Sequence, residues 1–222
     1  MENAKITNLY ELSETLAGEY LNGFTYPWEA LSGIGEMVKE LIKTLDPELF
    51  EDKGDNVWIA KSAKVYDTVG AIIGPCIIGE RTEVRPGAFI RGKVLIGNDC
   101  VIGNSTEVKN AIIFNHVQIP HYNYVGDSIL GFYSHMGAGS ITSNVKSDKT
   151  LVVVKDADER IETGLKKFGA MLGDHVEVGC NSVLNPGTVV GRNTNIYPLS
   201  RVRGVIPSDS VFKDQENIVK KE

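Results

Sequence analysis

The sequence predicts a mainly β architecture: a parallel β-helix preceded by helices and interrupted by a hairpin excursion. Three observations lead there. Aliphatic residues recur six apart along Ile78, Val84, Ile90, Ile96, Ile102 and Val108. After one-residue shortenings they continue through Ile113, Ile119 and Val125, then Leu130, Met136 and Thr142. Glycine often follows the aliphatic residue, as at Gly79, Gly97, Gly103, Gly126, Gly131 and Gly137. The rhythm resumes at Leu172, Val178, Leu184, Val190, Ile196 and Val202. A helix repeats every 3.6 residues and a strand every two. A period of six is a short strand plus a turn, and three such words close one coil of a triangular prism. The aliphatic residues then point inward and stack on their copies about 4.8 Å along the axis.

Residues 1–56 read as a helical cap. Leu9, Leu12, Leu16 and Tyr20 share one helical face, with Asn8 and Glu11 spaced like a capping box. A second helix places Ile34, Val38, Leu41 and Leu45 on one stripe, with Pro47 near its end. Residues 57–206 form the β-helix. At about 143–171 the repeat breaks, and LVVVK, DADE and RIETG read as a hairpin leaving the prism. Loops that leave a rigid scaffold often carry function. Residues 207–222 form a C-terminal tail with no assigned structure.

Composition excludes several classes. The formal net charge is −6 and no basic run exists, so nucleic acid, which needs a positive field, is a poor partner. MENAKITNLYEL lacks the charged start and apolar core of a signal peptide, and no apolar run reaches membrane-spanning length. Three widely spaced cysteines, Cys76, Cys100 and Cys180, suit a reducing cytoplasm.

The repeat also predicts neighbours, because equivalent positions are 18 or 17 residues apart. Val84, Ile102, Ile119 and Met136 form one inward column; Ile90, Val108, Val125 and Thr142 form the next. Outward columns follow: Arg91, Lys109 and Gly126; Asn104, His121 and Ala138; Phe89, Glu107 and Tyr124. Stacked Arg91 and Lys109 repel unless a carboxylate or an anion intervenes. Glu107 or a bound phosphate would serve.

VRPGAFIRG, STEVKN, IPHYNYVGDS and MGAGSITSN follow in order. Together they resemble the acetyltransferase half of bifunctional N-acetylglucosamine-1-phosphate uridylyltransferases. They are particularly similar to archaeal-type sugar-1-phosphate nucleotidyltransferases, which share a similar excursion before GLKKFGA. The resemblance covers roughly 57–206. It implies a left-handed coil, a homotrimer with sites between subunits, and acetylation of an amino-sugar 1-phosphate such as glucosamine 1-phosphate. Acetyl-CoA is the implied co-substrate, and no metal is required. By motif, His121 is the general base. Arg85 and Lys109 hold the sugar phosphate, Tyr124 orients the acceptor, and His135, Asn144 and Lys149 approach it. Ala138, Asn144, Val145 and Cys180 adjoin the cofactor. The base takes a proton from the attacking amine, for which imidazole suits neutral pH. A backbone N–H or the Asn144 amide supplies an oxyanion donor. Two departures stand out: His135 occupies the place of an asparagine, and Val145 that of a tyrosine. The Gly-rich nucleotidyltransferase loop is absent, so the resemblance implies the acetyltransferase half alone.

Two other readings are open. HVQIPH, with His116 and His121, resembles the paired histidines of gamma-class carbonic anhydrases, but zinc needs a third ligand and none stands near Glu80. A trimeric scaffold or sugar-nucleotide-binding paralogue without catalysis is the other.

Overall fold

The computed structural model describes residues 1–66, 70–157 and 159–221. Asp158, within the DADE turn, lies outside them. The chain winds as a left-handed parallel β-helix. Three columns of inward side chains fill it. In the first, Val65 pairs with Val84, Val84 with Ile102, and Ile102 with Ile119. Met136, Val178, Ile196 and Phe212 continue it. In the second, Ile72, Ile90, Val108 and Val125 stack, and Thr142, Leu184 and Val202 follow. The third runs through Ile59, Ile78, Ile96, Ile113, Leu130, Leu172, Val190 and Ile206. Most of these side chains are fully buried, which is why the six-residue period is so regular. An inward residue must meet another of similar bulk one coil away, or a void opens.

Thr142 is the polar exception in its column. The chain leaves the prism just beyond it, so nearby strand groups lose a partner. The Thr142 hydroxyl accepts from the Gly126 N–H at 3.0 Å, and Ser128 Oγ accepts from the Ala170 N–H at 3.0 Å. Two buried hydroxyls thus replace missing ladder bonds. The excursion is a hairpin of Val153–Asp156 against Glu159–Glu162. The coil then resumes in register, so His135 pairs with Glu177.

The tail extends the prism. Ser210–Asp214 pairs in parallel with Asn195–Ile196, and Asn217–Lys220 folds back antiparallel on it. At the other end, Phe50–Asp52 pairs antiparallel with Val57–Ala60.

The amino-terminal zone corrects the first predicted helix. The stretch is broken into Ile6–Leu9, a 3-10 turn at Leu12–Glu14, and Gly18–Asn22. Leu16 is exposed, and Asn8 donates to Glu2 rather than capping a helix with Glu11. The cause is tertiary. The Glu11 N–H donates to the Asp174 carboxylate at 2.7 Å, the Asp174 N–H to the Leu9 carbonyl at 2.9 Å, and the Asn115 N–H to the Glu14 carbonyl at 3.0 Å. Backbone groups that a helix would use bond the prism instead, and periodicity alone does not reveal that. The capping box lies farther on: the Glu29 carboxylate accepts from the Tyr26 N–H at 2.9 Å. The second predicted helix forms over Ile34–Ile42 and buries Ile34, Met37 and Val38. It stops short of Leu45.

Tyr10 anchors this zone against Phe114, with ring centroids 5.1 Å apart. Its buried hydroxyl has no hydrogen-bond partner among the described residues. Burial, then the nearby Asp174 charge, push its pKa well above the ordinary phenol range. The unfolded chain releases this proton near pH 10 while the fold retains it. Stability is therefore intact below about pH 10 and falls as the pH rises further. Tyr10→Phe removes an unsatisfied hydroxyl and should raise stability by about 1 kcal/mol. It should also flatten the alkaline loss, as urea midpoints at neutral and alkaline pH would show.

Candidate functional site

His121 ends the strand Gln118–His121 and sits at a prism edge. Its backbone is held from both sides. The His121 N–H donates to Asn123 Oδ1 at 3.0 Å, and its carbonyl accepts from the Gly139 N–H at 3.0 Å. Buried Asn123 donates in turn to the carbonyls of Gly137 and Ser140. Below it, Gly103 is required: a Cβ there would stand 1.5 Å from the Pro120 carbonyl oxygen. The turn is rigid and the imidazole projects from it, exposed in the single chain. The register puts Asn104 beneath His121, and the next coils place Ala138 and then Cys180 at the same outward position. His121, Ala138 and Cys180 thus share one outward column parallel to the axis.

Around the edge, Tyr124 projects from the adjacent face above Glu107 and Phe89. Its hydroxyl accepts from Asn144 Nδ2 at 3.1 Å. Burial first, then the charges of Asp127 and Glu107, raise its pKa, so it stays neutral and able to donate. Asn144 Nδ2 also donates to the Asp127 carboxylate. Asp127 accepts from Asn110 Nδ2 at 2.9 Å and lies 3.6 Å from Lys109 Nζ. One buried carboxylate therefore organises Lys109, Asn110 and Asn144. Both Asn144 donor contacts use Nδ2, so its free polar atom is Oδ1, an acceptor. In this arrangement the Asn144 Nδ2 hydrogens are engaged by Tyr124 and Asp127.

The anticipated repulsion between Arg91 and Lys109 is relieved by separate carboxylates. Arg91 pairs with Glu107 at 2.6 Å and Lys109 with Asp127. Together with Lys93 and Lys167 they line a cleft of 390 Å³, walled by Leu31 of the amino-terminal zone. The Leu31 carbonyl accepts from Asn110 Nδ2 at 3.2 Å. Trp28 stacks on Phe168, whose N–H donates to the Asn144 carbonyl at 2.9 Å. The amino-terminal zone thus braces the polar cluster.

The other candidates are dispersed within one chain. Arg85 pairs with Glu83 at 3.2 Å, and its register position lies two coils below Pro120. His135 pairs with Glu177 at 2.8 Å. Lys149 is exposed in the excursion, and Val145 lines a second cleft beside it. Cys76 and Cys100 are buried and their thiols are pushed up to about 12 by desolvation, which leaves them inert. Cys180 is exposed.

Sequence reasoning missed Asp127 and Asn123. Both belong to the PHYNYVGDS motif, but their partners lie in other coils. His116 sits at the opposite end of the Gln118–His121 face from His121. It stacks on Tyr133 at 4.5 Å and is 3.8 Å from Asp99. Among the described residues no group of three His, Cys, Asp or Glu side chains is placed to hold a metal. No described helix is long and apolar enough to cross a membrane.

Comparison with known proteins adds a family context. The family model described as "GMPPB C-terminal domain" matches residues 72–162. "Bifunctional protein GlmU" of Methanococcus vannielii is 33% identical over 219 residues, covering 94% of this chain and 52% of that protein. A "Bifunctional sugar-1-phosphate nucleotidylyltransferase/acetyltransferase" of Sulfurisphaera tokodaii is 35% identical over 128 residues, 58% of this chain and 32% of that protein. The chain spans about half the length of the GlmU relatives that match it almost end to end. Among solved structures, AntD, an N-acyltransferase from Bacillus cereus in complex with dTDP and 3-hydroxybutyryl-CoA, aligns with a TM-score of 0.35. It is 19% identical, and the alignment covers 83% of this chain and 87% of that one.

Proposed function

We propose that this chain, related over 94% of its length to GlmU-type proteins, corresponds to their acetyltransferase half. It transfers an acetyl group from acetyl-CoA to the amine of an amino-sugar 1-phosphate. The observation that carries this is the adjacency of two features: the outward column of His121, Ala138 and Cys180, and the cluster of Tyr124, Asn144, Lys109 and Asp127 on the next face.

His121 removes a proton from the amine as its nitrogen bonds the thioester carbonyl carbon. Backbone N–H groups receive the developing oxyanion. Collapse breaks the carbon–sulfur bond, and the proton on the imidazole passes to the departing thiolate. Asn144 Oδ1 accepts from the acceptor and Tyr124 donates to it. Lys109, and Arg85 across a subunit seam, meet the phosphate. Holding both reactants in place removes much of the entropic barrier. Ala138 and Cys180 line the pantetheine path.

The decisive assay follows thiol release from acetyl-CoA with a panel of amino-sugar phosphates. Turnover with at least one acceptor is expected; none with any would leave the scaffold reading. Thiol labelling gives a second check. In the folded protein, one cysteine per chain, Cys180, should react rapidly, and saturating acetyl-CoA should slow its labelling about tenfold or more. Equal labelling with and without acetyl-CoA would remove Cys180 from the path.

His121 and Cys180 are exposed in a single chain, and in the proposed reading a homotrimer covers their column to make the acetyl-CoA groove. The same edge carries Tyr122 and Leu199, 65% and 79% exposed, two large side chains that a second copy docked on this edge would cover. Tyr122→Asp combined with Leu199→Asp should shift the sedimenting species from trimer to monomer and abolish turnover together. A trimer that persists in this variant would place the interface elsewhere.

A further inference from the structure

The excursion hairpin and the last coils enclose a second cleft, of 610 Å³, away from the His121 column. That volume is within the range of about 300–1,000 Å³ usual for small-molecule sites. Its charge pattern is specific. In the hairpin, Lys155 lies directly opposite Arg160, and Asp156 directly opposite Glu159. Like charges facing one another across strands are destabilising. Successive strand residues point to opposite faces, so the basic rung and the acidic rung face different ways.

The acidic rung is met by the Met1 ammonium, which bonds Glu159. The basic rung opens into the cleft, where Arg203 of the prism joins it. Two carboxylates, Asp148 and Glu162, also line the space. Asp148 is engaged by Lys146 at 3.4 Å, and among the described residues no carboxylate lies within 4 Å of Lys155, Arg160 or Arg203. The chain as a whole carries −6, so this concentration of positive charge runs against the molecule's balance.

The hairpin is held close to the coil at this point. A Cβ on Gly204, whose φ is +75°, would stand 2.8 Å from the Lys155 carbonyl oxygen. Val145, Val153 and Pro186 supply an aliphatic floor.

We infer that this cleft binds the diphosphate group of a nucleotide, with Lys155, Arg160 and Arg203 on its oxygens. Two guanidinium forks match phosphate geometry. Three cations brought from two elements suit more than one phosphate. Such a group could come from the nucleotide end of CoA or from a nucleotide sugar. Only that choice rests on the acyl-transfer reading; the site does not.

Calorimetric titration of the full chain with inorganic pyrophosphate tests it. Saturable binding of one pyrophosphate per chain is expected, weakening as salt rises. Arg160→Ala with Arg203→Ala should weaken it at least tenfold, and Arg203→Lys should weaken it less. Arg160 and Arg203 are exposed, so these variants should fold, which circular dichroism would check. Displacement by CoA, or by a uridine diphosphate sugar, identifies the source. No saturable binding, unchanged affinity in the double variant, or displacement by neither nucleotide would overturn the inference. Arginine-dependent pyrophosphate binding without acyl transfer would keep the site and reject the enzymatic reading. Acyl transfer with pyrophosphate binding indifferent to the arginines would do the reverse.

Discussion

His121→Ala should lower the rate of acetyl-CoA turnover by about a hundredfold or more, the usual cost of removing a positioned base. The loss should fall on kcat more than on the acceptor KM, because in the proposed mechanism the imidazole acts on the proton while Lys109 and Tyr124 hold the substrate. The fold should be untouched. His121 is exposed, and its turn is held by backbone bonds and by Asn123, none of which needs the imidazole. Unfolding midpoints and the oligomeric state should therefore match those of the parent. Thiol-release kinetics at saturating acetyl-CoA provide the measurement, and a rate within a factor of about two of the parent would remove His121 from the mechanism.

Asp127→Ala should have an equally large effect by a different route. The carboxylate is buried, accepts from Asn110 and Asn144, and faces Lys109, itself largely buried. Removing it strands a partly buried ammonium and two amide donors. Breaking a buried ion pair commonly costs about 3 kcal/mol or more. Stability should drop by about that amount, and Asn144 should lose the contact that fixes its amide, whose Oδ1 the proposed mechanism uses on the acceptor. The acceptor KM should rise about tenfold or more. Asp127→Asn separates the two effects. It preserves shape and one acceptor oxygen, so stability should recover in part while the acceptor KM stays high, since Lys109 still lacks its counter-charge. Denaturant melts and acceptor saturation curves read these separately.

The prism was legible because its constraint is local and repeated. Ile102 must fit beneath Ile119 and above Val84, and the same demand recurs in every coil. Outward neighbours followed from that register, so the columns through His121 and Tyr124 emerged from counting. The partners of Asp127 obey the same count, since Asn110 and Asn144 stand 17 residues to either side and Lys109 18 residues before it; only the backbone bond from the Gly169 N–H to the Asp127 carbonyl at 2.8 Å depends on where the repeat is broken. The His135–Glu177 pair spans the same excursion, 42 residues of chain, and no fixed period predicts it. The first helix failed for a related reason. Its peptide groups bond Asp174 and Asn115, which are remote in sequence. The candidate site is a regular lattice with one interruption, and the residues beside that interruption were hardest to read.

The most direct test is a crystal structure of the full chain with CoA and an amino-sugar 1-phosphate. The expected result is the thiol at the His121 end of the groove, pantetheine passing Ala138 and Cys180. The sugar amine should lie within hydrogen-bond reach of the imidazole, about 3 Å, in a cleft closed by a second copy of the chain. CoA bound elsewhere, with His121 facing open solvent in the assembled protein, would contradict the account.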